Sequence, residues 1–359
     1  MEAVRAVVDT IGDVTIGTNV GVVLTHCQGR PEQTPSGEPD GQCPVGSGKD
    51  VGRENRYSCR MTATFAAFPA RDDRNAAPAI AILGIPHATP YIPGEASHSA
   101  RAPGALRAAL RGYSTDPAHY DFDLGGLRPT NVADCGDVVG DLSDSEGNRR
   151  MIRAAIAGLL AAGSVPVVLG GDDSVPIPVF QAYEGRGSFT VVQIDAHLDF
   201  RDEVRGERFG YSSPMRRASE MPWIERIVQV GMRGVGSARP ADVDDARARS
   251  STIITAAEFH RTGCRRVLDC VPSGASCLVT LDCDGLDPSI MPAVIAPAPG
   301  GLMYPHVLEL LHGLAQKARI AGFDLVEFVP ERDPTGVAAL TAARIVCNAI
   351  AAIAASAGA

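Results

Sequence analysis

Two apolar, strand-like runs in this sequence end in alternating aspartate and histidine residues. The runs are Val-Val-Gln-Ile and Val-Thr-Leu, and they are followed by Asp195, His197 and Asp199 and by Asp282 and Asp284. Carboxylates with one imidazole suit Mn²⁺ or a similar first-row divalent ion, whereas a structural zinc site would call for cysteine. Two such ions about 3.5 to 4 Å apart can hold a water and lower its pKa. The paired motifs therefore predict a hydrolytic centre with two metal ions.

A third apolar run offers another carboxylate. Val165 to Leu169 ends in Gly-Gly-Asp-Asp-Ser, whose fourth residue is Asp173. A single aspartate after a strand is more ordinarily a turn or helix cap. Three such motifs, each directly after an apolar run, favour a shared site over three separate caps.

The elements that must position these residues follow an alternating pattern from Ala79 onward. The predicted strands are Ala79–Ile85, Val165–Leu169, Phe189–Ile194, Ile227–Val230, Thr252–Ile254, Cys277–Leu281 and Ile320–Phe328. The predicted helices are Asn148–Ala162, Pro176–Tyr183, Pro240–Ala248, Ala256–Leu268, Tyr304–Ala318 and Gly336–Ser356. Alternating strands and helices indicate βαβ units, and ligands of such sheets bind at the carboxyl ends of the strands. We predict a three-layer α/β/α fold with a mainly parallel central sheet and the motifs at one edge.

Together the motifs resemble the ureohydrolase family of arginases, agmatinases and other guanidino-group hydrolases. Further matching segments are Gly84-Ile85-Pro86, Gly231-Met232-Arg233-Gly234, Pro297 to Leu302, and Asp324-Leu325-Val326-Glu327-Phe328. The resemblance covers roughly residues 78 to 357 and implies an arginase-like domain over 78–359. Residues 1–77 are then an N-terminal extension, in which 28–58 is predicted to be a flexible segment rich in Gly, Pro and Ser.

The resemblance also implies roles for individual residues. Asp195 and Asp282 would bridge two divalent ions, Mn²⁺ or Ni²⁺, with Asp173 and Asp199 completing one ion and His197 and Asp284 the other. Asp284 would also move a proton. Glu327 would pair with the substrate guanidinium, because a carboxylate can accept two parallel N–H bonds from that planar cation.

Two positions depart from the family pattern. The family has a histidine where this chain has Asp173, and the exchange shortens the ligand and adds a negative charge, so one metal site is predicted to be weak or empty. Tyr211 aligns with a family histidine that carries protons, and a phenol that titrates near 10 suits substrate orientation better than proton transfer. His87 is predicted to contact substrate, and both His87 and His98 are candidate replacement shuttles. Tyr91 and Met215 are candidates for the pocket that takes the rest of the substrate.

Three functions remain open from the sequence. The first is an active amidinohydrolase that acts on agmatine-like compounds, substituted guanidines or biguanides of the metformin type. The second is a catalytically impaired subunit that assembles with an active paralogue. The third is a single-zinc amidohydrolase or deacetylase, which the pair Asp282 and Asp284 and the Glu327 motif disfavour. Arginine is not the preferred substrate, because the residues after Asp199 lack an obvious set of contacts for an α-amino acid.

Composition narrows the class of protein further. A net charge of −9 and 5% aromatic residues argue against nucleic acid and anionic membranes and favour a cationic ligand. No apolar run is predicted to span a bilayer, and the start of the chain does not read as a secretory signal, so we expect a cytoplasmic protein. Nine cysteines without finger spacing predict mostly reduced thiols, with Cys283 in the core. By resemblance, the protein forms a homo- or hetero-oligomer, a trimer or hexamer.

Overall fold

The computed structural model describes residues 64–72, 76–113, 116, 118–236 and 238–357. In this part of the chain one sheet of eight strands has parallel pairing between all neighbours, in the order β2-β1-β3-β8-β7-β4-β5-β6. The strands are β1 Ile80–Ile85, β2 Val132–Asp137, β3 Val165–Gly170, β4 Phe189–Ile194, β5 Ile224–Met232, β6 Ser251–Thr255, β7 Ser276–Asp282 and β8 Arg319–Val326. Residues along the central strands are buried on both faces, which explains their continuous apolar runs.

Helices cover both faces of the sheet. They are α1 Ala102–Ala109, α2 Ser145–Ala161, α3 Pro176–Gln181, α4 Pro214–Ala218, α5 Pro240–Ala248, α6 Ala256–Thr262, α7 Arg265–Cys270, α8 Tyr304–Lys317 and α9 Val337–Ser356. One core contains residues of α1 and α6 to α9 with one set of strand side chains, such as Ile82. The other core contains residues of α2 to α5 with the alternate set, such as Leu83. The predicted three-layer α/β/α fold is therefore confirmed.

The strand order brings the sequence motifs together. Strands β3, β8, β7 and β4 are consecutive in the middle of the sheet, and all run in the same direction. Asp173, Glu327, Asp282 and Asp195 lie at or just beyond the carboxyl ends of these four strands. Residues separated by more than 150 positions therefore meet at one edge, as expected for a doubly wound sheet.

Several predicted elements differ from the observed ones. Strand β2 and helices α1 and α4 were not predicted. The helix predicted over Ala256–Leu268 is two helices, because Gly263 has a φ of 65° and ends α6. The last strand was predicted to include Glu327, but it ends at Val326. Glu327 follows the strand with a φ of 65°.

Helix α9 corrects the expectation that no apolar run could span a bilayer. Among the described residues this one helix is long and apolar enough to cross a membrane, and 56% of its most apolar window is buried inside the protein. It packs on α8, α1 and β8, as a core helix does.

The predicted N-terminal extension is described only in part. Residues 1–63, with the flexible segment predicted over 28–58, lie outside the described residues. The division at residue 77 stays a prediction. Phe65 is fully buried in the core, and its backbone N–H donates to Asp134 over 2.7 Å, so at least this part of residues 1–77 packs on the sheet.

Candidate active site

Seven predicted site residues line one cavity of about 210 Å³ at the carboxyl edge of the sheet. They are Asp173, His197, Asp199, Tyr211, Asp282, Asp284 and Glu327. Asp195 is fully buried beside them. The structure therefore brings all six predicted metal ligands, Tyr211 and Glu327 to one place.

Two groups of possible ligand atoms share one aspartate. Asp195, His197 and Asp284 form one group, and Asp173, Asp195 and Asp282 form the other, with the atoms of each group within 4.8 Å of one another. The common member is Asp195. Asp199 lies outside both groups, and Gln193 Nε2 contacts its Oδ2 at 3.2 Å.

The turns after the strands hold these carboxylates by backbone hydrogen bonds. His197 N–H donates to Asp195 Oδ1 over 2.6 Å, and Asp284 N–H donates to Asp282 Oδ1 over 2.8 Å. A side chain on Gly171 would place its Cβ 2.0 Å from the carbonyl oxygen of Pro86, so only glycine fits before Asp172 and Asp173. The paired spacing of the motifs thus follows from tight turns that point alternate side chains inward.

His197 contacts both carboxylates of its own group. Its Nδ1 lies 2.9 Å from Asp284 Oδ2 and 3.7 Å from Asp195 Oδ1. Burial opposes a charge on this ring, but the hydrogen bond and charge of Asp284 outweigh burial and raise the pKa of His197 to about 9. A divalent ion would take the place of that proton.

The buried aspartates repel one another. Burial is the main cause, and neighbouring carboxylates the next, of the raised pKa values of Asp173, Asp195 and Asp282. In addition, Asp173 Oδ2 is buried and has no hydrogen-bond partner within the described residues. Buried like charges and an unpaired carboxylate oxygen are what a bound cation would neutralise. The residues therefore fit a site for divalent ions.

Glu327 is fixed beside the aspartates. Its Oε1 accepts a hydrogen bond of 2.9 Å from the backbone N–H of Asp173, and its own N–H donates to the Gly171 carbonyl over 2.8 Å. Burial raises its pKa, whereas a hydrogen bond from His98 lowers it. The positive φ of Glu327 is a strained conformation for a residue with a side chain, and such strain is concentrated at functional sites.

Other predicted pocket residues separate into two groups. Tyr91 lies with Tyr211 along a second cavity of about 410 Å³, and their ring centroids are 4.4 Å apart. The second cavity shares Tyr211 and Ser212 with the first. Met215 instead is fully buried in the core and lines neither cavity, so its predicted pocket role was wrong.

His87 is not brought to either cavity, although it was predicted to contact substrate. Its ring packs against Gly140, where a Cβ would lie 2.5 Å from Nε2. Burial lowers its pKa, and neither ring nitrogen has a hydrogen-bond partner within the described part of the chain. His98, from the same β1–α1 connection, is the histidine that reaches Glu327.

Two buried glutamines support the cluster and were missed from the sequence. Gln193 Nε2 donates to Asp195 Oδ2 over 2.6 Å, and Gln229 Nε2 donates to Gln193 Oε1 over 2.7 Å. The two residues are paired across β4 and β5. The available signal was a glutamine within each β-branched run, since a buried amide must find partners.

Comparison with known proteins agrees with this architecture. The sequence profile of the arginase family matches residues 78–352. N(1)-aminopropylagmatine ureohydrolase of Thermus thermophilus is 36% identical over 212 residues, which are 57% of this chain and 68% of that protein. Proclavaminate amidinohydrolase of Streptomyces clavuligerus is 30% identical over 279 residues, which are 74% of this chain and 85% of that protein. A solved structure of proclavaminate amidinohydrolase from the same organism superposes with a TM-score of 0.71 at 28% identity, covering 84% of this chain and 99% of that one.

The parallel sheet, its flanking helices and the acidic cluster at its carboxyl edge define an α/β protein of the arginase-fold class. The chain belongs to the arginase family, whose members here include ureohydrolases and amidinohydrolases.

Proposed function

We propose that this chain is a metal-dependent amidinohydrolase that cleaves a guanidino C–N bond to give urea and an amine. The observation that carries the proposal is that Glu327 shares one cavity with the acidic cluster. A buried carboxylate suited to a guanidinium beside a candidate two-metal centre provides both binding and hydrolysis.

Six side chains would hold two divalent ions, Mn²⁺ or Ni²⁺. Asp195 and Asp282 would be shared, with Asp173 and Asp199 on one ion and His197 and Asp284 on the other. When bound, the ions supply Lewis-acid activation of a water. We infer that the ion beside Asp173 is the more weakly bound, because the aspartate is shorter than an imidazole.

The protein side chains bind the cation and move protons. Glu327 accepts N–H bonds from the guanidinium and holds its central carbon towards the aspartates. Asp284 accepts the proton of the attacking water and passes it to the leaving nitrogen as the C–N bond breaks. Burial raises the pKa of Tyr211, so its hydroxyl stays protonated and donates a hydrogen bond to substrate.

The substrate class follows from the cavities and the relatives. The first cavity accommodates a small cation, and the second continues from it past Tyr211 and Ser212, where a tail could lie. Relatives named for agmatine derivatives and guanidino acids support agmatine-like compounds and other substituted guanidines as substrates. We propose biguanides of the metformin type as further candidate substrates, because they present a similar cation. We place this activity in the cytoplasm, in a trimer or hexamer.

Two residues favour a second candidate function. Asp173 adds a fifth carboxylate to the predicted ligand set, and Tyr211 stands where the family has a proton-carrying histidine. Both residues would weaken metal binding or proton transfer without disturbing the fold. The chain would then be an impaired subunit that assembles with an active paralogue.

Release of urea, or of guanylurea where metformin loses its amine, distinguishes the two candidates. The purified chain is loaded with Mn²⁺ or Ni²⁺ and given agmatine, guanidinobutyrate, guanidine and metformin, alone and after co-expression with a ureohydrolase paralogue. Urea from the wild-type chain alone, and none from Asp195→Asn, supports the hydrolase. Urea only in the presence of the paralogue supports the impaired subunit.

A further inference from the structure

A histidine outside the predicted metal set lies against the carboxylate proposed to bind the guanidinium. His98 Nε2 lies 2.5 Å from Glu327 Oε2, so the ring and the carboxylate are directly hydrogen bonded. Because the backbone N–H of Asp173 donates to the other oxygen, Oε1, the carboxylate is held from two sides. The two donors belong to different segments, the β1–α1 connection and the turn after β3.

His98 also lies where the two cavities meet. It lines the second cavity, whereas Glu327 lines the first. The His98 ring stands edge-on to Tyr211, with centroids 5.6 Å apart. The side chain of His98 is 25% exposed, compared with 5% for Glu327, so His98 can meet solvent or a ligand while Glu327 stays enclosed.

The conformation of Glu327 explains why it needs such a contact. A glutamate with a φ of 65° is in a sparsely populated backbone region, and this persists only where surrounding contacts determine it. Three hydrogen bonds supply that constraint. The Glu327 N–H donates to the Gly171 carbonyl, the Asp173 N–H donates to Glu327 Oε1, and His98 contacts Glu327 Oε2. Of these, only His98 comes from a side chain.

Charge around His98 favours the same arrangement. Burial opposes a charged ring, but the hydrogen bond and charge of Glu327, together with the charge of Asp172, outweigh it and raise the pKa of His98. Arg332 acts in the opposite direction, and the Tyr211 ring completes the surroundings.

We propose that His98 is a positioning residue, which orients the Glu327 carboxylate at the junction of the two cavities for a cationic substrate. An ionised carboxylate has about four lone-pair directions, so the bonds from His98 and Asp173 leave one on each oxygen for a guanidinium. His98 thereby acts through Glu327 and does not contact the bond that breaks. The inference rests on the proposed amidinohydrolase function.

The test compares three variants at this position in the full chain. His98→Leu removes the donor, His98→Asn keeps an amide that is too short to reach, and His98→Gln keeps one that can reach. Loss of a hydrogen bond to a charged group predicts a rise of about tenfold or more in KM for the best guanidino substrate in His98→Leu and His98→Asn. The kcat should fall less, and His98→Gln should recover most of the loss. His312→Gln, on α8, is the matched control.

Crystal structures of the same variants give a readout that does not need activity. In His98→Leu or His98→Asn we expect the Glu327 carboxylate to move away from the Asp173 N–H, and in His98→Gln to remain. A Glu327 that stays in place without His98, or an unchanged KM in the active enzyme, overturns the proposal. If the wild-type chain neither binds nor hydrolyses guanidino compounds, the proposed function fails, and the position of Glu327 alone decides the role of His98.

Discussion

At the scale of single residues, the site is a set of buried carboxylates. Burying these like charges is unfavourable unless cations bind them. The turn geometry forces Asp195, Asp282 and Asp284 together through backbone hydrogen bonds. Asp173 adds a further charge with one oxygen unpaired within the described residues. The chemistry therefore depends on the balance between ligand charge and ion charge.

The substitution Asp173→His tests that balance. It removes one negative charge and restores a longer ligand, so the water activated at this site should ionise more readily. A change of about one pKa unit would move the acidic limb of the kcat profile to lower pH by about one unit and raise kcat at pH 7 by up to about tenfold. The measurement is a pH profile of urea release with Mn²⁺, beside Asp173→Asn, which removes the charge without adding a strong ligand. An unshifted acidic limb in Asp173→His would count against the charge argument.

Asp324 makes the folded protein sensitive to pH without being a predicted ligand. It is buried and accepts a 2.6 Å hydrogen bond from Thr280, and burial raises its pKa to about 7. An unfolded aspartate titrates near 4, so between about pH 4 and 7 the folded state keeps a proton that the unfolded state releases. Asp324 therefore makes stability fall as pH rises through that window.

Replacing Asp324 with asparagine should remove this dependence. In the metal-free chain, the free energy of unfolding of Asp324→Asn should fall less steeply from pH 5 to 7 than that of wild type, by up to about 1.4 kcal/mol per pH unit. Urea denaturation at several pH values measures the slope. Parallel slopes for the two proteins would exclude Asp324 as the source.

The site was predictable from sequence to the extent that its residues follow strands. All six predicted ligands and Glu327 meet because the four strands that precede them, β3, β8, β7 and β4, lie side by side in the sheet. The supporting residues were not predictable in the same way. Gln193 and Gln229 form their contacts across a strand register, and His98 reaches Glu327 across 229 positions in the chain. Such partners depend on tertiary placement rather than on local spacing.

At the scale of elements, the strand β2 and the helix α1 differ from the predicted elements because buried charged residues connect them. Arg107 of α1 is 5% exposed and donates two hydrogen bonds to Asp134 of β2, over 2.8 and 2.9 Å, and a third of 2.6 Å to Asp137. The strand Val-Ala-Asp-Cys-Gly-Asp lacks the apolar pattern because its aspartates bind this arginine.

Substituting Arg107 by leucine should destabilise this edge of the sheet. The change leaves the buried Asp134 without its cation, and breaking a buried ion pair in this way costs about 3 to 5 kcal/mol. Chemical denaturation of Arg107→Leu and of Arg111→Leu, an exposed arginine just beyond α1, separates the ion pair from general loss of charge. A loss of stability below about 1 kcal/mol in Arg107→Leu, as for a surface pair, would contradict the buried role.

The remaining element differences also have physical causes. Apolar runs predicted the buried central strands within one or two residues, because both faces of a parallel strand are covered. The prediction of one continuous helix over Ala256–Leu268 was wrong, because the positive φ of Gly263 ends α6. The last strand was predicted too long because Val-Glu-Phe reads as extended, whereas the turn at Glu327 is set by its contacts with Gly171 and Asp173.

At the scale of the whole molecule, the fold concentrates negative charge at one edge of an already acidic protein. The net charge is −9, and the cavity combines the aspartate cluster with Glu327. Such a field attracts cations, both divalent ions and a guanidinium. Family membership, the residues that line the cavity and the net charge are thus all consistent with cationic ligands.

Metal content of the purified full-length chain, measured by mass spectrometry after loading with Mn²⁺ and desalting, tests the central claim most directly. The two groups of ligand atoms around Asp195 predict one tightly held ion and a second, more weakly held ion beside Asp173 per wild-type chain, less metal in His197→Gln, and neither ion held in Asp195→Asn. A wild-type chain that retains less than one ion, or an Asp195→Asn chain that retains as many as wild type, would contradict the assignment of this cluster as a two-metal centre.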